Sequence, residues 1–363
     1  MRIAQIAPLV ESVPPRLYGG TERIVAYLTD ELVQLGHDVT LFASADSVSA
    51  ARLVSCAQMA LRLDSNVRDP IPYYMLMLDR VRQHAEEFDI LHFHIDHLHF
   101  PLFRPFAART VTTVHGRQDL PDLKALYIGF SDMPLVSISN SQRQPAGNAN
   151  FVATIHHGLP LQLYEPTFNP RGGYLAFLGR ISPEKGVDRA IEIARLLGIP
   201  LKIAAKVDKV DESYFRERIA PLIDQPGEWI GEINERAKGA FLGEAQALLF
   251  PIDWPEPFGL AMIEAMACGT PVLAFRHGAV PEVVDEGVTG SIVDTVDEAV
   301  RKLPHVLNLD RRAVRRRFET RFSSRRMAND YVRLFRTLCE RAQLPSSNDP
   351  RPLLQREMEE EIH

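Results

Sequence analysis

The chain is predicted to be α/β, built as two open parallel-sheet units in succession. Three observations carry that reading. Its 363 residues exceed what one hydrophobic core usually organises. Short apolar runs alternate with longer stretches of helical spacing, the strand–helix–strand unit of a parallel sheet, and this series starts twice. Between the two starts the pattern lapses, near residue 165.

In the first series Ile3 to Ala7 reads as a buried strand. Glu22 to Leu35 reads as a helix, with Ile24, Val25, Leu28, Leu32 and Leu35 on one face and Gly36 as its stop. Strands are expected again at Val39 to Ala43, Ile90 to His94, Thr110 to Val114 and Leu135 to Ser139. Residues 159–173, LPLQLYEPTFNPRGG, hold three prolines and a glycine pair, a linker signature. The second series has strands at Tyr174 to Leu178, Leu201 to Ala205, Ala247 to Phe250 and Pro271 to Ala274. Its helices are expected at Asp188 to Leu197, Ser213 to Leu222 and Gly259 to Ala267. The resulting division is 1–165, 166–323, an amphipathic helix over 324–344, and a polar, solvated tail over 345–363.

Composition narrows the function class. A hydrophobic fraction of 45% with 24% charged residues is that of a globular enzyme rather than a fibrous or disordered chain. The formal charge of -6 argues against a dedicated nucleic-acid binder, which needs a basic excess. Cys56, Cys268 and Cys339 form no CxxC pair, so neither a disulfide framework nor a thiolate metal site is expected. MRIAQIAPLV lacks the h-region and cleavage site of a secretory signal, and no apolar run approaches the roughly 18 residues that span a bilayer. A cytoplasmic location is expected, with peripheral membrane association left open.

The most informative segment is PEPFGLAMIEAMACGTPV, residues 255–272, which follows a strand and opens a helix near Gly259. A helix N-terminus offers free N–H groups and partial positive charge, and Gly259 admits a ligand close to the backbone. That suits a phosphate. Glu256 before the helix and Glu264 on its second turn are carboxylates suited to vicinal hydroxyls; singly, either reads as a surface charge. Arg180 and Lys185 in GRISPEKG, after another strand, have the charge to neutralise a diphosphate, although basic loop residues are usually just solvated. Tyr18-Gly19-Gly20-Thr21-Glu22 places a glycine pair between the first strand and first helix. No GxGxxG and no GxxxxGK[ST] occurs, which disfavours a nicotinamide or flavin enzyme and a P-loop nucleotidase.

Histidine is the fourth constellation. His92, His94 and Asp96 alternate along LHFHID, with His97 and His99 following and His115 closing the next strand. A polar strand end lining a cleft is favoured over a metal site, because no carboxylate-rich ligand set and no DxD triplet accompanies it. Metal is therefore expected to be absent.

Together these residues resemble the retaining glycosyltransferases of family 4. GRISPEKG pairs with the Glu–seven residues–Glu segment; GGTERIVAYLTDELVQLGHDV, VHG at 114–116 and HGAVPEVVDEGVTG match the same pattern. The resemblance covers residues 1 to about 340 and implies the GT-B fold: two Rossmann-like domains facing across a central cleft, the last helix returning to the first domain. It implies that Arg180 and Lys185 hold a donor's diphosphate with the backbone of Gly259 and Leu260, Phe258 being part of the same turn. Glu264 would take the ribose, Glu256 the transferred sugar, and Gly20 would face the phosphates. His115 would lie near sugar and acceptor, and the base near Gly231 to Ile233, by similarity of WIGEI to the family's corresponding loop. Asp253-Trp254 and His277 depart from the family pattern and bear on the donor sugar.

The implied activity is hexosyl transfer from a nucleotide-sugar co-substrate, UDP-glucose first and GDP-mannose second, with no cofactor. The acceptor would be a small molecule, glycan or lipid-linked sugar, met by loops at Glu11 to Arg16, Val67 to Tyr74 and Gln118 to Leu126. The competing readings are a phosphorylase or sugar-nucleotide epimerase on the same fold, and a non-catalytic nucleotide-sugar sensor.

Overall fold

The computed structural model describes residues 1–16, 19–223 and 227–343; Tyr18, Leu344 and the 345–363 tail lie outside the described residues. The first sheet comprises β1 (Arg2–Ile6), β2 (Asp38–Ser44), β3 (Arg52–Ala57), β4 (Ile90–Phe93), β5 (Thr110–Thr113), β6 (Leu135–Ser137) and β7 (Phe151–Thr154). They lie in the order β3-β2-β1-β4-β5-β6-β7, all parallel. The second comprises β8 (Leu175–Arg180), β9 (Leu201–Lys206), β10 (Gly227–Gly231), β11 (Ala247–Phe250), β12 (Val272–Phe275) and β13 (Gly290–Val293). Its order is β10-β9-β8-β11-β12-β13, again parallel.

In both sheets the order reverses beside the first strand, at β1/β4 and at β8/β11. A crevice opens outside the strand carboxyl ends at such a reversal, because the connecting helices leave on opposite faces. The Gly19-Gly20 turn follows β1, and Arg180 ends β8. The fold thus brings the two switch points onto one cleft.

The strands β3, β7, β10 and β13 were not expected, and two expected elements take a different form. Residues 212–222 form a helical turn, a π-helical stretch over Phe215–Ile219 and a 3-10 turn over Ala220–Leu222 instead of one helix. Pro221 has no N–H to donate to an i−4 carbonyl, so the last turn cannot continue as α. The strand expected through Ser139 ends at Ser137, because Ser139 caps the next turn, its Oγ accepting from Gln142 N at 3.0 Å.

The helix Ser324–Gln343 returns to the first sheet, burying Met327, Tyr331 and Phe335. Ser324 Oγ donates to Glu31 Oε1 at 2.6 Å. Tyr331 OH lies 2.8 Å from Thr113 Oγ1. The two chain crossings run side by side: Leu159 N donates to Phe322 O at 2.9 Å, and Ser324 N donates to Leu159 O at 2.8 Å. Gly158 permits this approach, since a Cβ there would lie 2.3 Å from Ser323 O.

Arg311, buried in the second unit, ties the connecting segment down. It donates to Thr167 O at 2.6 Å, Ala245 O at 2.9 Å, Gly243 O at 2.8 Å and Thr270 Oγ1 at 2.6 Å. Burial lowers its pKa to about 10. Arg311→Met would leave these acceptors without the charged donor, and a stability loss of about 2–5 kcal/mol is expected from denaturant titration. A loss below about 1 kcal/mol would contradict the stapling role.

Candidate active site

The cleft holds a cavity of about 480 Å³ lined by both units. The residues singled out for catalysis and donor binding line it: Gly20 and His115 from the first unit, and Arg180, Lys185, Ile233, Glu256, Phe258, Gly259, Leu260 and Glu264 from the second. Gly259 is left-handed, with φ +87°, directly before the helix Leu260–Ala267. That backbone turn aims the helix N-terminus into the cavity. Across the cleft Gly20 comes so close that a Cβ on it would lie 3.4 Å from Leu260 Cδ1.

The carboxylates and cations are paired. Lys185 Nζ donates to Glu256 Oε2, which also accepts from Trp254 Nε1 at 2.9 Å. Lys185 lies 4.8 Å from the centre of the Trp254 ring. Lys238 donates to Glu264 Oε1 at 2.7 Å, and Glu235 joins Lys238 to Arg23 of the first unit. Arg180 reaches Glu184 at 3.1 Å and Asp208 at 3.4 Å. The departures from the family pattern contact one another: His277 Nε2 is 3.7 Å from Asp253 Oδ1, while Trp254 holds Glu256.

The histidines need a correction. His92 and His94 do not line the cleft; both are buried, and His92 lies under Tyr331 and Phe335 at ring-centroid distances of 4.9 and 5.4 Å. The crossing helix covers the strand end that was expected to be open. His97 and His99 are likewise engaged, His97 Nε2 with Tyr127 OH at 2.9 Å and His99 Nε2 with Thr112 Oγ1 at 2.9 Å. Among the described residues no group of histidine, cysteine and carboxylate side chains is arranged to hold a metal ion.

Trp254, singled out as a departure from the family pattern, lines the cavity too; other lining residues were not singled out from sequence: Arg23, Arg62, Lys206, Lys238 and His157. Of the expected acceptor loops, Glu11 lines the cavity, whereas no residue of 67–74 or 118–126 does. The 3-10 turn Leu61–Leu63 supplies Arg62 instead, paired with Glu11. Gln118 turns inward, donating to Gly116 O at 3.2 Å.

Glu22 in the same wall is buried, and burial raises its carboxyl pKa, with the Glu11 charge adding to the effect. The folded chain therefore holds this proton more tightly than the unfolded chain. This contribution favours folding as pH falls from the raised value through the ordinary glutamate range, and is lost as the group ionises. Glu22→Gln is expected to raise the denaturation midpoint at pH 7, by an amount that shrinks on acidification. An unchanged or lower midpoint at pH 7 would contradict this.

Comparison with known proteins agrees with the geometry. Residues 165–321 match the family "Glycosyl transferases group 1", and residues 18–132 match "Glycosyltransferase Family 4". A D-inositol 3-phosphate glycosyltransferase of Mycobacterium marinum is 28% identical over 208 residues, 51% of this chain and 42% of that protein. The matched region spans less than half the length of such curated relatives. AviGT4, a glycosyltransferase involved in avilamycin A biosynthesis, superposes with a TM-score of 0.71 at 23% identity, over 93% of this chain and 98% of that one. Anabaena HepE in complex with UDP-glucose gives 0.71 at 15% identity, over 93% and 100%. With two parallel sheets facing across a cleft and both halves matched, this chain belongs to the family 4 glycosyltransferases of GT-B fold.

Proposed function

We propose that this protein is a retaining glycosyltransferase that moves a hexose from a nucleoside-diphosphate sugar to a hydroxyl acceptor without a bound metal ion. The observation that carries this reading is the meeting of Arg180, Lys185 and the Leu260–Ala267 helix N-terminus on one cavity with Glu256 and Glu264. Cleavage of the anomeric C–O bond leaves positive charge on the sugar and negative charge on the diphosphate. Two cations and a helix N-terminus stabilise the latter where it forms, a contribution of several kcal/mol in comparable sites. The acceptor oxygen attacks from the face the diphosphate leaves, and the departing phosphate oxygen takes its proton. Configuration is thereby retained.

UDP-glucose is the first reading of the donor and GDP-mannose the second; the similar fold of HepE in complex with UDP-glucose supports the first. The acceptor is a hydroxyl-bearing small molecule, glycan or lipid-linked sugar at the first-unit wall, beside Glu11, Glu22 and Arg62. Donor binding must exchange the Lys185–Glu256 and Lys238–Glu264 pairs for contacts to phosphate and hydroxyls. Closure of the two units over the donor would exclude water and limit hydrolysis.

The two glutamates separate the steps of this mechanism. Glu264 grips the ribose, which does not change during reaction, so Glu264→Gln should raise the donor KM and weaken UDP itself. Glu256 faces the sugar, so Glu256→Gln should lower kcat more than it raises KM. Steady-state kinetics in excess chelator, with UDP binding by calorimetry, reads both. Weakened UDP in Glu256→Gln with unchanged UDP in Glu264→Gln would reverse the donor's placement. Loss of turnover in chelator, restored by magnesium or manganese, would end the metal-free mechanism.

A further inference from the structure

Trp254 departs from the family pattern and lines the cavity, and the transfer mechanism leaves it unused. It stands two residues before Glu256, in the loop that follows β11. Its indole Nε1 donates to Glu256 Oε2 at 2.9 Å, and Lys185 Nζ donates to that same oxygen. Among the described residues no hydrogen bond falls on Oε1. The ammonium also lies over the indole, 4.8 Å from the ring centre. Indole, ammonium and carboxylate thus form a closed triangle, in which the Lys185 and Glu256 side chains are only 14% and 12% exposed.

The backbone fixes two corners of this triangle. Glu256 O accepts from Ala279 N at 2.9 Å, and a Cβ on Gly278 would lie 2.3 Å from Glu256 N, so the two segments are in close contact. Asp253 N donates to Glu184 O at 2.8 Å, joining the Trp254 loop to the turn that carries Lys185. The movable corner is the lysine ammonium, at the end of a flexible four-carbon stem. Under the proposed function this is the group that leaves Glu256 for the diphosphate. A carboxylate stripped of its counter-charge in so dry a wall is costly. The indole N–H is neutral and can only donate, so it remains on Oε2 when the ammonium goes.

We infer that Trp254 is a positioning residue: its N–H holds the Glu256 carboxylate in place after Lys185 has moved to the diphosphate, leaving Oε1 for a sugar hydroxyl. The inference rests on the proposed function and adds the group that lets the lysine exchange partners. Loss of the indole N–H weighs more with UDP bound, where it supports Oε2 without the lysine. In the unliganded protein Lys185 shares that oxygen, and the loss is smaller.

Calorimetry with UDP on the full chain tests this through a double-mutant cycle. Trp254→Phe keeps an aromatic ring and removes the donor, and should weaken UDP about 3- to 10-fold. In a Glu256→Gln background, which has no carboxylate charge to support, the same substitution should leave UDP affinity unchanged within about twofold. Unchanged UDP affinity in Trp254→Phe alone, or equal weakening in both backgrounds, overturns the inference. In the wild type, ¹H–¹⁵N spectra distinguish the Trp254 indole from Trp229, the other tryptophan, by comparison with Trp229→Phe. Saturating UDP should move the Trp254 indole proton downfield, as its bond to Glu256 strengthens once the lysine has gone. An unmoved or upfield-shifted proton overturns the inference even if Trp254→Phe does not fold. Failure of the wild type to bind either UDP or GDP overturns the donor reading itself, whereas UDP binding with a failed cycle overturns only the role of Trp254.

Discussion

The site depends on the double crossing of the chain between its two sheets. Neither switch point can form the cavity alone: the first supplies Gly20 and His115, the second Arg180, Lys185 and the helix N-terminus. What holds them face to face is a short parallel contact between Leu159 and Ser323, with Gly158 leaving room for the second strand of chain. Arg326, at the start of the crossing helix, donates to the carbonyls of His156 and His157 at 2.8 Å each. The same clamp therefore fixes His157 in the cavity wall. From the other unit Glu282 accepts from the backbone N–H groups of Asn140 and Ser141 at 2.8 and 2.7 Å, closing the far side of the junction.

Within that frame the cavity is densely charged but internally matched. Arg23, Arg62, Arg180, Lys185, Lys206 and Lys238 line it beside Glu11, Glu22, Glu232, Glu256 and Glu264. Ion pairing keeps the six cations from standing isolated in a partly dehydrated space, where an unpaired charge is costly. It also gives binding its character. In the proposed function a diphosphate and a sugar diol would replace existing ion pairs, making affinity a difference between two sets of charge-assisted bonds that small changes in geometry shift considerably. The pairs reaching across the cleft, Arg23 with Glu235 above all, couple that exchange to the relative placement of the two units.

How much of this was legible in the sequence follows from which surfaces each segment presents. The interior strands β1, β2, β4, β5, β6, β8, β9, β11 and β12 are largely buried runs rich in apolar or β-branched residues, β5 being TVTT, and so read as strands. β3, β7, β10 and β13 are the sheet edges and escaped notice. RLVSCA and GEWIG mix polar or glycine residues with apolar ones, as edges do, and carry little periodicity. The motif residues were legible for a similar reason: strand, glycine turn and helix are contiguous, so their spacing survives in one dimension. Arg62, Lys206, Lys238 and His157 come from separate segments that only the fold assembles. The histidine cluster was legible as a cluster but misplaced, because the helix that covers it lies more than two hundred residues downstream.

A structure of the protein with UDP bound tests the central claim most directly, since it places the diphosphate without reference to sugar or acceptor. The account predicts its oxygens within hydrogen-bond reach of Arg180, Lys185 and the N–H groups of Gly259 and Leu260, with the ribose at Glu264. A diphosphate held away from those groups, or bridged to the chain by a divalent cation in their place, would contradict it.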